Sequence, residues 1–416
     1  MSRKKQIWYG LKLVFRSLFV LGLFAALFSY AMFQGGFVSW FLFYSIMTLV
    51  VLMLLYALIP LGSFMAEREF GDGVLLAGAI TQVKVTIRRK WPFPFLYLSV
   101  VDDIDQKLLK QMPRYHNKMI FYPTMKREIT FTYEIPEIKR GEYELHGVWL
   151  ETSDMFGLFE KQKYVSLKET VLVYPNYHNI EHWSAYEKHE AETHMSSLDF
   201  VEDVTSIAGA REYVPGDKLT SIDWKVTARS NKLMTKEFED HYGQNFLVIL
   251  NNHLPDNHYQ TLEAYEKSIE LATSIVMLSN RTHLKMSLWT IGETSKAFSM
   301  DAGADHQKNI VKHLSKIEAD FQGEFGASLK EYEDHIPQGI TMIIVSTEVT
   351  DDMLERVRIY LSRRINVYFC LMDRGKKTDA WEEKRFEQLK RYGAEAYILS
   401  GSNLDHAIPT YASAGD

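Results

Sequence analysis

The chain has 416 residues, room for about two or three domains that each bury their own core. Its net charge of -6 gives no electrostatic case for nucleic acid as a partner. The single cysteine, Cys370, excludes a disulfide framework and sits in the apolar run Val367-Tyr-Phe-Cys-Leu371, where a buried, inert thiol is expected.

Residues 1–65 predict a membrane anchor of two helices, over about 12–33 and 37–61. Ser17 to Phe33 and Phe37 to Leu61 contain no charged residue. The second run is long enough to cross about 30 Å of hydrocarbon, and Lys12 and Arg16 extend the first by snorkelling. Gln34-Gly35-Gly36 makes a tight connection, and no convincing small-residue cleavage site marks a signal peptide. Arg3, Lys4, Lys5, Lys12 and Arg16 precede the first span, so both termini are expected in the cytoplasm and the chain is read as a multi-pass protein of the cell membrane.

Residues 70–175 read as an all-β sandwich. Runs such as Ile80 to Ile87, Phe95 to Val101, Glu128 to Tyr133 and Tyr143 to Leu150 are rich in β-branched and aromatic residues, and several alternate with period two. Gly141 and Gly157 read as turn glycines that need positive φ. Residues 176–204 form a polar linker with helical spacing and little apolar face. There His178 and His182, at i and i+4, could share a helix face and take zinc with a carboxylate, or simply lie on a solvated helix.

Residues 205–416 join a dense polar segment to an α/β domain. From Phe246 onward, apolar strands (Phe246 to Leu250, Leu284 to Ile291, Thr341 to Ser346, Val367 to Leu371, Ala396 to Leu399) alternate with helical patterns. The helices are expected over Thr261 to Asn280 and Asp351 to Arg364, near Gln307 to Ile317 and Ser328 to His335, and over Trp381 to Arg391. Continuous apolar strands between amphipathic helices argue for a parallel sheet covered on both faces.

Ligands of such sheets bind beyond the carboxyl ends of the strands. The von Willebrand factor A-like fold places a magnesium site there, with Asp-x-Ser-x-Ser after the first strand. Here those positions are Asn251, His253 and Pro255, so the oxygen ligands a hard cation needs are missing. Glu293, Thr347 and Asp351 remain as candidates for a polar pocket. No Gly-x-x-x-x-Gly-Lys-Ser/Thr, no helix-opening Gly-x-Gly-x-x-Gly and no Gly-x-Ser-x-Gly occurs. No cofactor is predicted.

The segment from 209 to 239 gathers Arg211, Tyr213, Gly216, Asp217, Asp223, Trp224, Arg229, Lys236 and Glu237. Pro215-Gly216 reads as a turn that Asp217 caps. Asp223 on a short helix is matched to Arg211 or Arg229, with Tyr213 and Trp224 screening the pair from water. Two readings stand. In one, Asp217, Asp223 and Glu237 form an acidic hydrolytic site with Arg211 and Arg229 binding an anion. In the other, balanced charges form an internal ion-pair lattice.

At these residues the chain resembles the bacterial family called domain of unknown function fifty-eight, through Gly209, Arg211, Tyr213, Gly216-Asp217, Ile222-Asp223-Trp224, Ala228-Arg229, Leu233, Lys236 and Glu237. Asp154-Met-Phe-Gly-Leu-Phe159 is similar to that family's Asp-Pro-Phe-Gly-Leu-Phe turn. Thr220 departs from the family's usual Arg, and Asn251 from the Asp of many members. The resemblance implies a two-helix anchor, a sandwich and a von Willebrand A-like domain, commonly accompanied by a MoxR-type AAA+ ATPase. It implies no established reaction. The expectation is therefore a membrane-anchored, non-enzymatic scaffold or adaptor that docks a cytoplasmic partner, that ATPase being the candidate. The alternatives are a hydrolase using the 209–239 segment and a metal-dependent adhesion module.

Overall fold

A computed structural model describes residues 18 and 21–400, apart from 19–20, 63, 72, 115, 123–124, 158, 181–206, 213–223, 231, 239–244, 283, 322, 334–335, 337–339 and 376–379. The chain divides into two compact units, Met1–Val173 and Tyr174–Asp416.

The first unit opens with two apolar helices, α1 (Leu21–Gln34) and α2 (Phe37–Leu58). Among the described residues, α2 is the helix long and apolar enough to cross a membrane. The two pack through Phe24 and Phe28 against Phe43. Their link is tight because Gly35 takes φ +62°, which other residues rarely adopt, and because Ser39 bonds back to Gly36.

Seven strands follow: β1 (Phe64–Phe70), β2 (Thr81–Arg89), β3 (Leu98–Ile104), β4 (Lys118–Phe121), β5 (Glu128–Ile135), β6 (Gly141–Ser153) and β7 (Glu160–Val173), with the single-turn helix α3 (Gln106–Leu109) after β3. They form two antiparallel sheets, ordered β1-β2-β5 and β4-β3-β6-β7. Alternate residues of both sheets, among them Val83, Val85, Phe131, Val100, Leu145 and Leu150, meet in one core. This is a sandwich, and each such buried aliphatic or aromatic side chain stabilises it by about 1.5–3 kcal/mol. The strand expected from Phe95 begins only at Leu98. Pro92 and Pro94 lack backbone N–H groups, and the amides of Phe93 and Phe95 close turns onto the carbonyls of Trp91 and Phe93. Gly157 takes φ +68° in the expected turn, where the Asp154 carboxylate accepts the amides of Phe156 and Phe159.

One polar group is sealed inside this apolar core. The Asp102 carboxylate is fully buried, with Arg68 donating Nε (3.0 Å) and Nη2 to it and Tyr133 donating its hydroxyl (2.7 Å). Arg68 and Tyr133 belong to one sheet and Asp102 to the other, so this cluster bolts the two sheets together. Burial and the facing carboxylate push the Tyr133 phenol above its ordinary range.

In the second unit, residues 175–180 carry no helix, and the rest of the expected linker, 181–204, lies outside the described residues. The segment is instead strapped to the helix α5 (Tyr259–Arg281). Glu270 accepts from Asn176 (3.0 Å) and lies 2.9 Å from His178, whose amide donates to Ser274 (2.9 Å), and Arg281 donates to Asn179 and the Ile180 carbonyl. These partners replace the water that the polar segment would otherwise have kept.

The hairpin of β8 (Ile207–Glu212) and β9 (Met234–Phe238) encloses the helix α4 (Trp224–Ser230). Then comes a six-stranded sheet built from β10 (Phe246–Asn251), β11 (Met286–Ile291), β12 (Lys296–Ala297), β13 (Thr341–Ser346), β14 (Asn366–Met372) and β15 (Glu395–Leu399), in the order β12-β11-β10-β13-β14-β15. All pairs are parallel except the short edge strand β12. Every residue of β10, β11 and β13 is buried. Alternation sends Phe246, Val248 and Leu250 to the side of α5 and α6 (Ala304–Lys316). Leu247 and Ile249 go to the side of α7 (Phe325–Lys330), α8 (Asp351–Ser362) and α9 (Ala380–Tyr392). The expected parallel sheet covered on both faces is thus present. Cys370 is buried in it, and burial pushes its thiol up to about 12.

Candidate functional site

The polar residues concentrate where β10, β11 and β13 end together. Asn251, last in β10, is wholly buried; its Nδ2 donates to Ser346 Oγ (3.0 Å), and its Oδ1 accepts the amide of His253 (3.0 Å). A neutral amide thus ties two adjacent strand ends together at the position where the sequence departs from a carboxylate. Ser346 in turn donates to the Glu348 carbonyl (2.8 Å), which turns the chain sharply after β13.

His253 is 4% exposed, with Nδ1 2.7 Å from Asp320 Oδ1. Asp320 is held from two more sides: its amide donates to the Asn252 carbonyl (2.9 Å), and its carboxylate accepts the Glu293 amide. Gly292 and Gly323 allow this closeness, since a Cβ at Gly292 would stand 2.6 Å from Asp320 Oδ2 and one at Gly323 would stand 2.8 Å from His253 Cε1. His253 Nε2 and Thr347 Oγ1 are buried without a hydrogen-bond partner. Glu348, next to Thr347, is half-buried, and desolvation pushes its carboxyl up.

Two further acids at this edge are paired. Glu382 accepts the Val349 amide (3.2 Å) and binds Arg374. Asp351 receives Nε and Nη2 of Arg385, both at 2.8 Å, in a two-pronged pair that holds its carboxyl below the usual range. The expected meeting of Glu293, Thr347 and Asp351 in one pocket does not form. Asp351 faces Arg385 at the surface, Thr347 is closed off, and Glu293 contributes its amide. Pro255 is exposed beyond the edge. No sequence pattern points to Asp320, Glu348 or Glu382. Asp320 follows α6 by four residues in an irregular stretch, and only the fold carries it to His253.

In the 209–239 segment, the pairing of β8 with β9 sets Gly209 opposite Glu237, Ala210 opposite Lys236 and Arg211 opposite Thr235. Its two strands are short and polar, so no alternating apolar pattern marks this hairpin in the sequence. Trp224 opens α4 and is 69% exposed, so it does not provide the expected cover from water, and Arg229 is exposed on the same helix. Helix α4 is fastened by Thr227 Oγ1, which accepts the Met234 amide at 3.0 Å. Tyr213, Gly216, Asp217 and Asp223 lie outside the described residues. Metal binding through His178 and His182 has no described geometry beyond His178, which faces Glu270. Among the described residues no group of three or more His, Cys, Asp or Glu is placed to hold a metal.

Residues 209–377, which take in most of the hairpin and the strand ends around Asn251, His253 and Asp320, match the family model described as "Protein of unknown function DUF58". The chain is also 34% identical over 412 residues to the uncharacterized protein YeaD of Bacillus subtilis (strain 168), covering 97% of this chain and 100% of that one. The chain belongs to the DUF58 family. Among solved structures, proximal thread matrix protein 1 of the mussel byssus is 14% identical, with 39% of this chain and 45% of that one covered and a TM-score of 0.30. The PilB minor pilin of Streptococcus sanguinis is 7% identical, with 74% and 84% covered and a TM-score of 0.26. Likenesses this slight bear on neither fold nor function in this DUF58 member.

Proposed function

We propose that this DUF58 protein is a membrane-anchored, non-enzymatic scaffold. In this reading α1 and α2 cross the bilayer, both termini face the cytoplasm, and a von Willebrand A-like α/β unit docks a cytoplasmic protein, a MoxR-type AAA+ ATPase being the candidate. The observation that carries it is the state of the acids at the carboxyl edge of the sheet. Asp320, Glu382 and Asp351 each serve as a fixed partner of a histidine, an arginine or a backbone amide. Groups arranged this way hold loops in a set shape, which is what a docking surface needs. The uncharged helix α2 supports the anchor.

Capture from membranes tests the reading. Tagged wild type is expected to retain the ATPase and Arg229→Ala to retain much less. Equal capture by both removes the signature segment from the docking surface, and no ATPase with either sinks the partner. A reporter fused after Asp416 is expected to be active only in the cytoplasm; activity on the outer side would refute the topology. If Asp223→Asn kept the fold but abolished a measurable hydrolytic activity of the pure protein, the scaffold reading would fail.

A further inference from the structure

Where α2 ends, the chain runs directly into a groove of about 770 Å³ lined by Ile59, Pro60, Trp91, Phe93, Phe95 and Met125. The groove is shaped by residues 90–97, between β2 and β3, and by the stretch 125–127 that leads into β5. Arg89 pins one loop to the other: its Nε donates to the Lys126 carbonyl (2.8 Å) and its Nη1 to the Phe93 carbonyl (2.6 Å), with the side chain itself almost fully buried. Phe93 and Phe95 lie 6.4 Å from the Tyr56 ring in the last turn of α2. The groove is therefore preformed and fixed to the helix end.

Its outer wall has an unusual composition for a surface facing water. Trp91 is 77% exposed and Met125 69%. Lys90, Lys126 and Arg127 stand exposed among them, and neither loop contains a single carboxylate. An exposed aromatic ring beside exposed cations suits the headgroup layer of a bilayer, where rings reach the acyl boundary and cations reach phosphates. The position agrees. A helix of 22 residues rises about 33 Å, close to the hydrocarbon thickness, so its carboxyl end and the groove sit at headgroup depth.

We infer that this groove seats an anionic phospholipid of the leaflet into which α2 opens, so that the sandwich lies against the membrane instead of hanging from it. The inference rests on the membrane-anchor reading above. Charge complementarity and continuity with the span select lipid over a peptide, for a peptide site would not need to begin at the last turn of an apolar helix.

The full chain in nanodiscs of phosphatidylcholine, with and without phosphatidylglycerol, provides the test. A fluorophore on the thiol introduced by Trp91→Cys reports the groove, because Cys370 is buried and does not compete. Nitroxide lipid is expected to quench the label, and iodide in the water to quench it poorly, in discs that contain phosphatidylglycerol. Spin-labelled phosphatidylglycerol is expected to associate in preference to phosphatidylcholine, with Lys90→Gln and Arg127→Gln each lowering that preference on the order of fivefold. A label equally open to iodide in both discs overturns the inference, as does a lipid preference unchanged by both substitutions at an unchanged melting temperature. A label shielded without regard to lipid charge assigns the groove to a protein or to neutral lipid and overturns it too. Protein that fails to stay in the discs refutes the anchor itself, a result distinct from a failed groove.

Discussion

Lys161 Nζ on β7 donates to the Tyr56 carbonyl at 2.8 Å and also lies 5.4 Å from the centre of the Tyr56 ring. The same ammonium bonds the Ile59 carbonyl, while Lys163 bonds that of Gly62. The final carbonyls of a helix have no partner within it and carry partial negative charge, so lysines are suited to cap them. Tyr56 adds a hydroxyl contact to Thr152 (2.9 Å). The end of α2 is thus built into the sandwich.

Lys161→Met is expected to leave the sandwich folded and free the helix end. Amide exchange over 56–62 should quicken in bilayer discs, and Tyr56→Phe, which loses one hydrogen bond, should cost about 1 kcal/mol. Unchanged exchange in Lys161→Met would show that the cap contributes nothing.

Asp102→Ala takes the two-pronged carboxylate from the buried Arg68 guanidinium and leaves it the longer contact to Glu169 (3.4 Å), a loss of about 3 kcal/mol. The sandwich should melt on the order of 10 °C lower. Replacing both partners, Arg68→Met with Asp102→Leu, should recover most of that loss, since no lone buried charge remains. Calorimetry of the three proteins decides; a double variant as weak as the single one would mean that the pair itself is required.

Glu270→Ala should release the 175–180 strap from α5. The His178 amide, which donates to Ser274, is then expected to exchange roughly tenfold faster, as the loss of about one buried hydrogen bond would dictate. Exchange at wild-type rate would place the strap's stability in Arg281 and Ile180 instead.

Burial, and then the charge of Lys296, hold the His313 imidazole down to about 4 from its ordinary 6.5. The unfolded chain binds this proton first on acidification, so stability present above 6.5 is lost as pH falls toward 4. His313→Gln should flatten that part of the urea-midpoint profile. A profile that keeps its slope would assign the acid sensitivity elsewhere.

Glu348 has the opposite linkage. Its carboxyl is pushed above the ordinary 4.5 chiefly by burial, so the charged form weakens the folded state at neutral pH. Glu348→Gln is expected to raise the melting temperature near neutrality and to make no difference below 4.5. Loss of stability at neutral pH would mean that the carboxylate is held by a partner.

The sequence alone determined features whose cause is local. Uncharged runs marked α1 and α2, period-two alternation marked the strands of the sandwich, and the continuous apolar runs Phe246 to Leu250 and Thr341 to Ser346 marked strands buried on both faces. Each pattern reflects one element meeting one environment, so composition over a few residues is enough. What the tertiary structure decided was every pairing between distant residues. Lys161 meets Tyr56 across 105 positions, Asp320 meets His253 across 67, and Asp102 meets Tyr133 across 31. No local pattern encodes such meetings, because they depend on sheet order and on where each loop ends. For the same reason Asp351, four residues after Thr347 in the chain, turned to Arg385 and left the pocket expected of it unformed.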